Sequence, residues 1–426
     1  MKQVLFFAAL AVLLLLSMPA LKLGGSVRLG QLAVLGTFAL ILTNDIAKKR
    51  VRWEILLFFW IGAALMTLVS MNSIAVKFGE TKFVIKYFLI FPASYYVGAK
   101  IVEYLSLEKL IFMLELVVFL FCLNALLIDL GLIPDPLKEM IVSYRTAFVG
   151  TAKYLEYQGT FAEAGWFAIA VETTALFALL LRYDFNIWPS PGRKWQLYGL
   201  YGFVLVSLAL SKNKTIWIGI VAILLFLMLY KGIVALTRSN YYMPEAIKKR
   251  DPKLSMFSHI DTKKLLFVLF FLILLFFIVD ALLPEPIITA QMLEEKLHNE
   301  RGKAFMITMH LMQKSGWLGG YGFGFVEAYF TLFPQGVIGL GEGTGMIFNS
   351  YLDIWLSASL IGLAFHLLLL YFSFSSRYYV TMAGVVLLFV YANFNPAIGD
   401  EYYYIFMGLS YGIATCYHDD RDEREV

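Results

Sequence analysis

The long apolar runs of this chain constrain its fold most, because a run of about 20 apolar residues is what a helix needs to cross a bilayer. Of the 426 residues, 60% are hydrophobic, against about 45–50% in a typical soluble domain. The sequence therefore predicts an all-α polytopic membrane protein of about twelve spans that forms one membrane domain over residues 1–426. The predicted spans are roughly 4–21, 27–43, 53–71, 83–101, 109–130, 164–182, 195–210, 215–231, 264–283, 349–372, 378–394 and 402–417.

The distribution of Lys and Arg predicts the orientation, because basic residues that flank spans tend to stay in the cytoplasm. With a cytoplasmic N-terminus, most of the 35 basic residues fall on the cytoplasmic side. Residues 232–263 then form a basic cytoplasmic loop, and residues 284–348 form a large outer loop. The first apolar run is followed by Met18-Pro19-Ala20, which loosely resembles a signal-peptide cleavage site. Eleven further spans favour an uncleaved first helix instead.

Composition and motifs exclude several other classes of function. The net charge of +4 is spread over the flanks of the spans, which gives no basis for nucleic-acid binding. Cys122 and Cys416 fall within or at the end of apolar runs, so neither a disulfide framework nor a thiolate metal site is indicated. No P-loop, HExxH or GxSxG motif is present, and we expect no metal and no cofactor.

One arginine lies among apolar residues in the predicted outer loop. Arg301 shares a helical stripe with Thr308, Leu311 and Met312, which directs this cation with the apolar face of an amphipathic helix. A cation in such a place either binds an anion or snorkels to the surface. The glycine-rich segment that follows, GGYGFGF from Gly319, suits either close approach of the backbone to a ligand or disorder.

Further cations lie on the predicted outer side, against the usual charge rule. Lys86 falls inside the fourth span, where it either faces a polar cavity or snorkels. Lys212 and Lys214 occupy a tight turn between the seventh and eighth spans. An anionic ligand at the outer surface would explain why two lysines are tolerated there.

Polar residues also mark the starts of two spans. Glycines bracket Glu163 at the start of the sixth span, where an acid acts either as a simple helix cap or in the chemistry of a site. Asn349 offers a cap to the tenth span. The residues that close the outer face between the last two spans, Asn393, Asn395, Tyr402, Tyr403 and Tyr404, suit either an interfacial belt or a sugar-binding surface.

Four ordered segments together resemble the O-antigen polymerase and O-antigen ligase superfamily of bacterial envelope proteins. The resemblance covers essentially residues 145–372, with a similar span count and a large outer loop. The four segments are GTFAEAGWFA at 159–168, SLALSKNKT at 207–215, the stretch from Arg301 to GGYGFGF, and FNSYLDIWLSASLIGL at 348–363.

The resemblance implies a GT-C-like helical glycosyltransferase at the outer face of the bacterial inner membrane. Such an enzyme takes a glycan from an undecaprenyl pyrophosphate carrier and passes it to an acceptor hydroxyl. Cations at the outer surface would stabilise the pyrophosphate leaving group without a metal. Arg301 matches the arginine that opens the loop helix of the family. The expected pyrophosphate and glycan contacts are Lys86, Arg145, Lys212, Lys214, Tyr321 and Asn349.

The position before Asn349 departs from the family pattern. Family members often have a histidine there, which ligases are expected to use toward the acceptor, whereas this chain has Phe348. Glu163, then His310 and Glu342, are the other candidates for deprotonating the acceptor. The expected function is polymerisation of lipid-linked repeat units by an inverting, metal-independent transfer. The expected partners are the glycan donor and acceptor, the lipid bilayer and a chain-length regulator.

Two alternatives stay open beside the polymerase. One is an O-antigen ligase that transfers finished polymer to lipid A-core. The other is a transporter or flippase of lipid-linked sugars, which would use the same cationic cavity without bond chemistry. Inverted internal repeats would favour the transporter, and the sequence contains none that we recognise.

Overall fold

In the residues that it describes, the computed structural model of the chain is helical apart from one small hairpin. It describes residues 2–22, 28–71, 80–142, 146–149, 152–155, 157–161, 164–211, 213, 215–238, 300–326, 329, 349–375, 378–395 and 397–417. The α-helices of these residues are α1 Lys2–Leu16, α2 Leu29–Ala47, α3 Trp53–Met71, α4 Glu80–Ile85, α5 Phe91–Tyr104, α6 Leu107–Asp129, α7 Asp135–Ile141, α8 Ala164–Phe185, α9 Lys194–Leu210, α10 Thr215–Arg238, α11 Glu300–Lys314, α12 Ser350–Ser373, α13 Tyr379–Phe394 and α14 Glu401–Cys416.

Three short helical turns and one β-hairpin complete the described fold. A π-helical turn, Lys86–Ile90, joins α4 to α5, and 3-10 turns cover Pro191–Arg193 and Ala397–Gly399. Strands β1 (Thr146–Val149) and β2 (Ala152–Leu155) pair antiparallel. The hairpin lies in the connection between the fifth and sixth predicted spans, and a prediction of helices alone does not include it.

Apolar helices account for most of the described chain. Eleven of the twelve predicted spans coincide with helices, and the predicted span 264–283 lies outside the described residues. Among the described residues, five helices are long and apolar enough to cross a membrane. They are Leu29–Ala47, Trp53–Ser70, Leu107–Asp129, Gly165–Phe185 and Ser350–Ser373. Large apolar side chains such as Trp195 and Leu205 are exposed on the surface, as expected of a helical protein embedded in lipid.

Small residues bring two helices of the centre into backbone contact. A Cβ added to Gly98 on α5 would lie 2.2 Å from the Ile405 carbonyl oxygen, and one on Gly408 of α14 would lie 2.1 Å from the Tyr95 oxygen. No larger residue fits at either position. Close approach through small residues is the usual way for helices to pack in a bilayer, and it makes α5 and α14 the central pair of the bundle.

The helix ends meet in two groups at opposite ends of the bundle. At one end, which we call the Asp45 end, Arg52 beside α3 donates to Thr415 of α14, and Asp184 of α8 accepts from the amides of Tyr379 and Val380 at the start of α13. At the other end, the Asn349 end, the start of α12 contacts the end of α13. These pairings agree with the direction that the apolar runs predict for each helix.

Candidate functional site

The glycine-rich segment of 319–322 is docked onto a break in α12. The backbone leaves the helical path at Ala358 and at Ser359, where φ is +62°. A helix end leaves carbonyl groups without donors from its own helix. Here the amides of Gly320 and Tyr321 both donate to the Leu356 oxygen at 2.9 Å, and the Gly322 amide donates to the Ser357 oxygen at 2.8 Å. The segment therefore caps the first half of α12.

The docking requires glycine at the point of closest approach. Gly319 has φ +68°, and a Cβ there would lie 2.1 Å from the Trp355 carbonyl oxygen. The Trp355 indole also donates to the Trp317 carbonyl at 3.1 Å. The glycines of this segment thus allow contact between its backbone and α12, which is neither the approach to a ligand nor the disorder that the sequence pattern suits.

The same segment is held from its other side by α3, α4 and the π-helical turn. The Phe323 amide donates to the Ser70 hydroxyl at 2.8 Å. The Phe323 ring stacks on Phe83 and on Tyr87, with ring centroids 5.7 and 5.2 Å apart. Short π-helical turns inside α-helices occur frequently at functional sites. The glycine segment, the break in α12 and the π-helical turn therefore form one packed unit.

A helix that precedes this unit carries the arginine singled out by the sequence. Thr308 and Met312 on α11 are fully buried and Leu311 is nearly so, which confirms the buried stripe for these three residues. The Tyr321 hydroxyl donates to the Leu311 carbonyl at 3.0 Å, so the segment also packs back on α11. Arg301 lies in the first turn of α11, and its side chain is outside the described part of the structure.

A group of side-chain amides lies at the Asn349 end. Asn349 caps α12 by accepting from the Leu352 amide at 3.0 Å, and its Nδ2 donates to Asn393 Oδ1 at 3.1 Å. A Cβ on Gly165 of α8 would lie 3.1 Å from Asn213 Nδ2 and 4.0 Å from Asn395 Oδ1. We call Asn213, Asn349, Asn393 and Asn395 the amide rim. Each amide both donates and accepts hydrogen bonds, as sugar hydroxyls do.

The amide rim and the docked segment bring all four motif segments to one end of the bundle. Gly165 belongs to the first segment and Asn213 to the second, and they meet beside Asn395. Ser350, in the fourth segment, donates to the Asn395 carbonyl at 2.8 Å. The third segment reaches α12 through the amide of Gly320. The first and second segments are thus joined to the fourth through residue 395, and the third contacts the fourth directly.

Lys86 lies at this end as well, in the first position of the π-helical turn. Its Nζ donates to the Gly399 carbonyl at 2.8 Å and lies 5.6 Å from the Phe91 ring centroid. Asp400 follows in the chain and caps α14 by accepting from the Tyr402 amide at 2.9 Å. Burial, followed by the adjacent Glu401 carboxylate, raises the pKa of Asp400 to about 6. Lys86 therefore contributes positive charge near a carboxyl that binds its proton more tightly than usual.

The other predicted site residues separate into two groups. His310 lies on α11 with an exposed side chain, away from the buried stripe. Arg145, Glu163, Lys212 and Lys214 lie outside the described residues, as does Glu342. Within the described ranges, no three His, Cys, Asp or Glu side chains come together in a way that could hold a metal ion.

The structure also contains a buried ionic cluster that the four motifs do not select. At the Asp45 end, the Lys100 ammonium lies 3.2 Å from Asp45 Oδ2 and 2.7 Å from Glu103 Oε2, and Arg52 pairs with Glu103. Asp45 and Lys100 are almost fully buried. Tyr96 also donates to Asp45 Oδ2 at 2.7 Å. The cluster contains two cations and two anions, so its net charge is zero. It joins α2 to α5.

Two further ionisable groups lie within apolar helices. Arg182 at the end of α8 makes a bidentate pair with Glu115 of α6, with N to O distances of 2.6 and 2.7 Å. His366 of α12 is fully buried and its Nδ1 donates to the Gly362 carbonyl at 2.8 Å. Its Nε2 then accepts from the Tyr404 hydroxyl at 3.1 Å. Ionisable residues inside apolar runs are the sequence signal that could have found these groups.

Comparison of the chain with protein-family models and with curated proteins finds no match in either set. The class that the structure itself supports is a helical protein whose described part has helices long and apolar enough to cross a membrane, with a polar, glycine-rich candidate site at one end of the bundle.

Proposed function

We propose that the chain is a membrane glycosyltransferase of the O-antigen polymerase type, which joins oligosaccharide repeat units carried on undecaprenyl pyrophosphate. The observation that carries the proposal is the assembly of the four motif segments at the Asn349 end. These segments are far apart in the sequence, and the resemblance requires them to build one site.

The proposed chemistry is a direct displacement at the anomeric carbon of the donor sugar. The acceptor hydroxyl forms the new glycosidic bond, and the bond to pyrophosphate breaks with inversion. Negative charge grows on the leaving pyrophosphate, and fixed cations stabilise it most where water is excluded. Arg301 has the leading role in this proposal, because a guanidinium can contact two phosphate oxygens at once. Lys86, Lys212, Lys214 and Arg145 supply further positive charge, and no metal is required.

The remaining roles in this proposal go to the other residues that the sequence motifs single out. Glu163 is our first candidate for accepting the proton of the acceptor hydroxyl, and His310 the second. Asn349, with the rest of the amide rim, and Tyr321 would bind sugar hydroxyl groups. Lys86 would exchange the Gly399 carbonyl for a phosphate oxygen.

The proposal includes a GT-C-like bundle of about twelve spans in the bacterial inner membrane. The Asn349 end then faces the periplasm, and the loop 284–348 covers the site. The Asp45 end faces the cytoplasm together with the basic loop 232–263, of which residues 232–238 belong to α10. The partners would be the lipid-linked donor, the glycan acceptor, the bilayer and a chain-length regulator.

A transporter of lipid-linked sugars is the second candidate, and the break in α12 favours it. Discontinuous helices at membrane depth are typical of transporter binding sites. An O-antigen ligase is the third candidate, although Phe348 occupies the position where a ligase is expected to have histidine.

One product assay separates the three candidates. Purified protein in lipid vesicles is incubated with a single lipid-linked repeat unit, with and without lipid A-core, and the lipid-linked products are sized. We expect a ladder of multiples of the repeat. Transfer only to lipid A-core would assign a ligase, and a substrate that moves across the bilayer unchanged would assign a transporter.

A further inference from the structure

A carboxyl group on α8 lies inside the bundle without a cation beside it in the described part of the chain. Glu172 is 7% exposed, and its Oε2 accepts a hydrogen bond from the Tyr391 hydroxyl of α13. Tyr391 is fully buried. The ion pairs found among the described residues involve other acids, namely Asp45, Glu103 and Glu115.

The surroundings of Glu172 are apolar and closely packed. Gly219 of α10 faces the carboxyl, and a Cβ there would lie 3.2 Å from Glu172 Oε1, 2.7 Å from Leu387 Cδ1 and 3.5 Å from the Tyr391 hydroxyl oxygen. A methyl group on Gly219 would not fit between the three helices unless a neighbouring side chain moved. An ionised carboxylate in such a place is costly unless its charge is neutralised. A group that neutralises it here has to be very small.

A proton meets this requirement, whereas a metal ion does not. Hard cations need several oxygen ligands, and among the described residues no three His, Cys, Asp or Glu side chains come together to hold a metal ion. Tyr391 is also the one titratable group that faces it in the described structure, since α10 contributes Gly219 at this point.

We propose that Glu172 is a proton-binding site, which stays a neutral carboxylic acid while α10 is packed against α8 and α13. The neutral acid holds α10 in contact with its neighbours, and loss of the proton separates them. The site is a buried latch between three helices and is distinct from the amide rim.

The location of the latch suggests what it controls. α10 begins at Thr215, one helical turn before Gly219, and Lys212 and Lys214 directly precede it in the sequence. Movement of α10 would therefore move the two lysines. This consequence, coupling of proton binding to pyrophosphate binding, rests on the proposed function, whereas the protonation of Glu172 does not.

Infrared spectroscopy tests the protonation directly on the full-length protein in detergent. A difference spectrum between wild type and Glu172→Gln at pH 7 should contain the carbonyl stretch of one neutral carboxylic acid. Gln is close in size and still accepts from Tyr391, and size-exclusion chromatography verifies that the variant is folded. Tyr391→Phe should retain the band at a higher frequency, because the acid loses its hydrogen-bond partner. Carboxylate bands in place of the acid band would overturn the proposal.

Thermal unfolding provides a second readout of the latch. Wild type should lose stability as the pH is raised from about 4 into the alkaline range, because the unfolded chain releases the carboxyl proton from about pH 4 upward whereas the folded protein retains it. Glu172→Gln should lose clearly less, since its amide does not ionise. Equal losses in the two proteins would contradict the latch even if the infrared band were present. Absence of polymerase products would refute the proposed function and leave both of these results unaffected.

Discussion

Replacing Gly319 by alanine should release the glycine segment from α12. The substitution places a Cβ 2.1 Å from the Trp355 oxygen at φ +68°. A non-glycine residue in the left-handed region costs about 1–2 kcal/mol. The overlap cannot be relieved without separating the two backbones, which breaks the three amide hydrogen bonds to Leu356 and Ser357. At about 0.5–1.5 kcal/mol each, the docked state loses roughly 3–6 kcal/mol in all.

Gly316 provides the matched control for this substitution. It has φ +62°, and no atom lies within 4 Å of an added Cβ. Gly316→Ala therefore carries only the backbone cost of about 1–2 kcal/mol. The difference between the two variants measures the contact with α12.

Hydrogen exchange followed by mass spectrometry measures the docking at the amides of Gly320, Tyr321 and Gly322. In Gly319→Ala, exchange at these amides should rise at least about a hundredfold or reach the unprotected rate, since 1.4 kcal/mol corresponds to about tenfold. Gly316→Ala should raise it about tenfold. Equal exchange rates in the two variants would refute the inference that close backbone contact holds this segment.

Two further predictions concern charged groups elsewhere in the bundle. Lys100→Met should lower the free energy of unfolding by about 3–5 kcal/mol, because it leaves the Asp45 carboxylate buried without its cation; adding Asp45→Asn should restore part of this free energy, and no restoration in denaturant titrations would contradict the cluster. The raised pKa of Asp400 means that the folded protein binds this proton more tightly than the unfolded chain. The melting temperature should therefore fall as pH rises from about 4 to about 6, and Asp400→Asn, which still caps α14, should flatten this dependence; an unchanged slope would exclude Asp400 as its source.

The helices were predictable because a bilayer sets the length and composition of what crosses it. The span predicted at 83–101 lies within the helical stretch from Glu80 to Tyr104, and the one predicted at 164–182 lies in α8. The burial of Thr308 and Met312 followed from helical periodicity alone. Each of these predictions depends only on residues that are neighbours in the sequence.

Features that depend on residues distant in the sequence were not predictable. Nothing in the local sequence around Ser359 indicates a break, since the break is stabilised by amides of residues 320–322. The apolar run that contains Glu172 gives no sign of Gly219 or Tyr391 as its neighbours. The amide rim likewise combines asparagines from three separate parts of the chain.

The initial rate of repeat-unit transfer in Arg301 variants tests the central claim most directly. Rates per folded molecule are compared for wild type, Arg301→Ala, Arg301→Lys and the control Lys314→Ala, an exposed cation at the other end of α11. If Arg301 holds the pyrophosphate in the transition state, alanine should lower the rate by about two to three orders of magnitude. Lysine should recover only part of it, because a point charge replaces a planar fork, and Lys314→Ala should be close to wild type. A near-normal rate in Arg301→Ala would contradict the account.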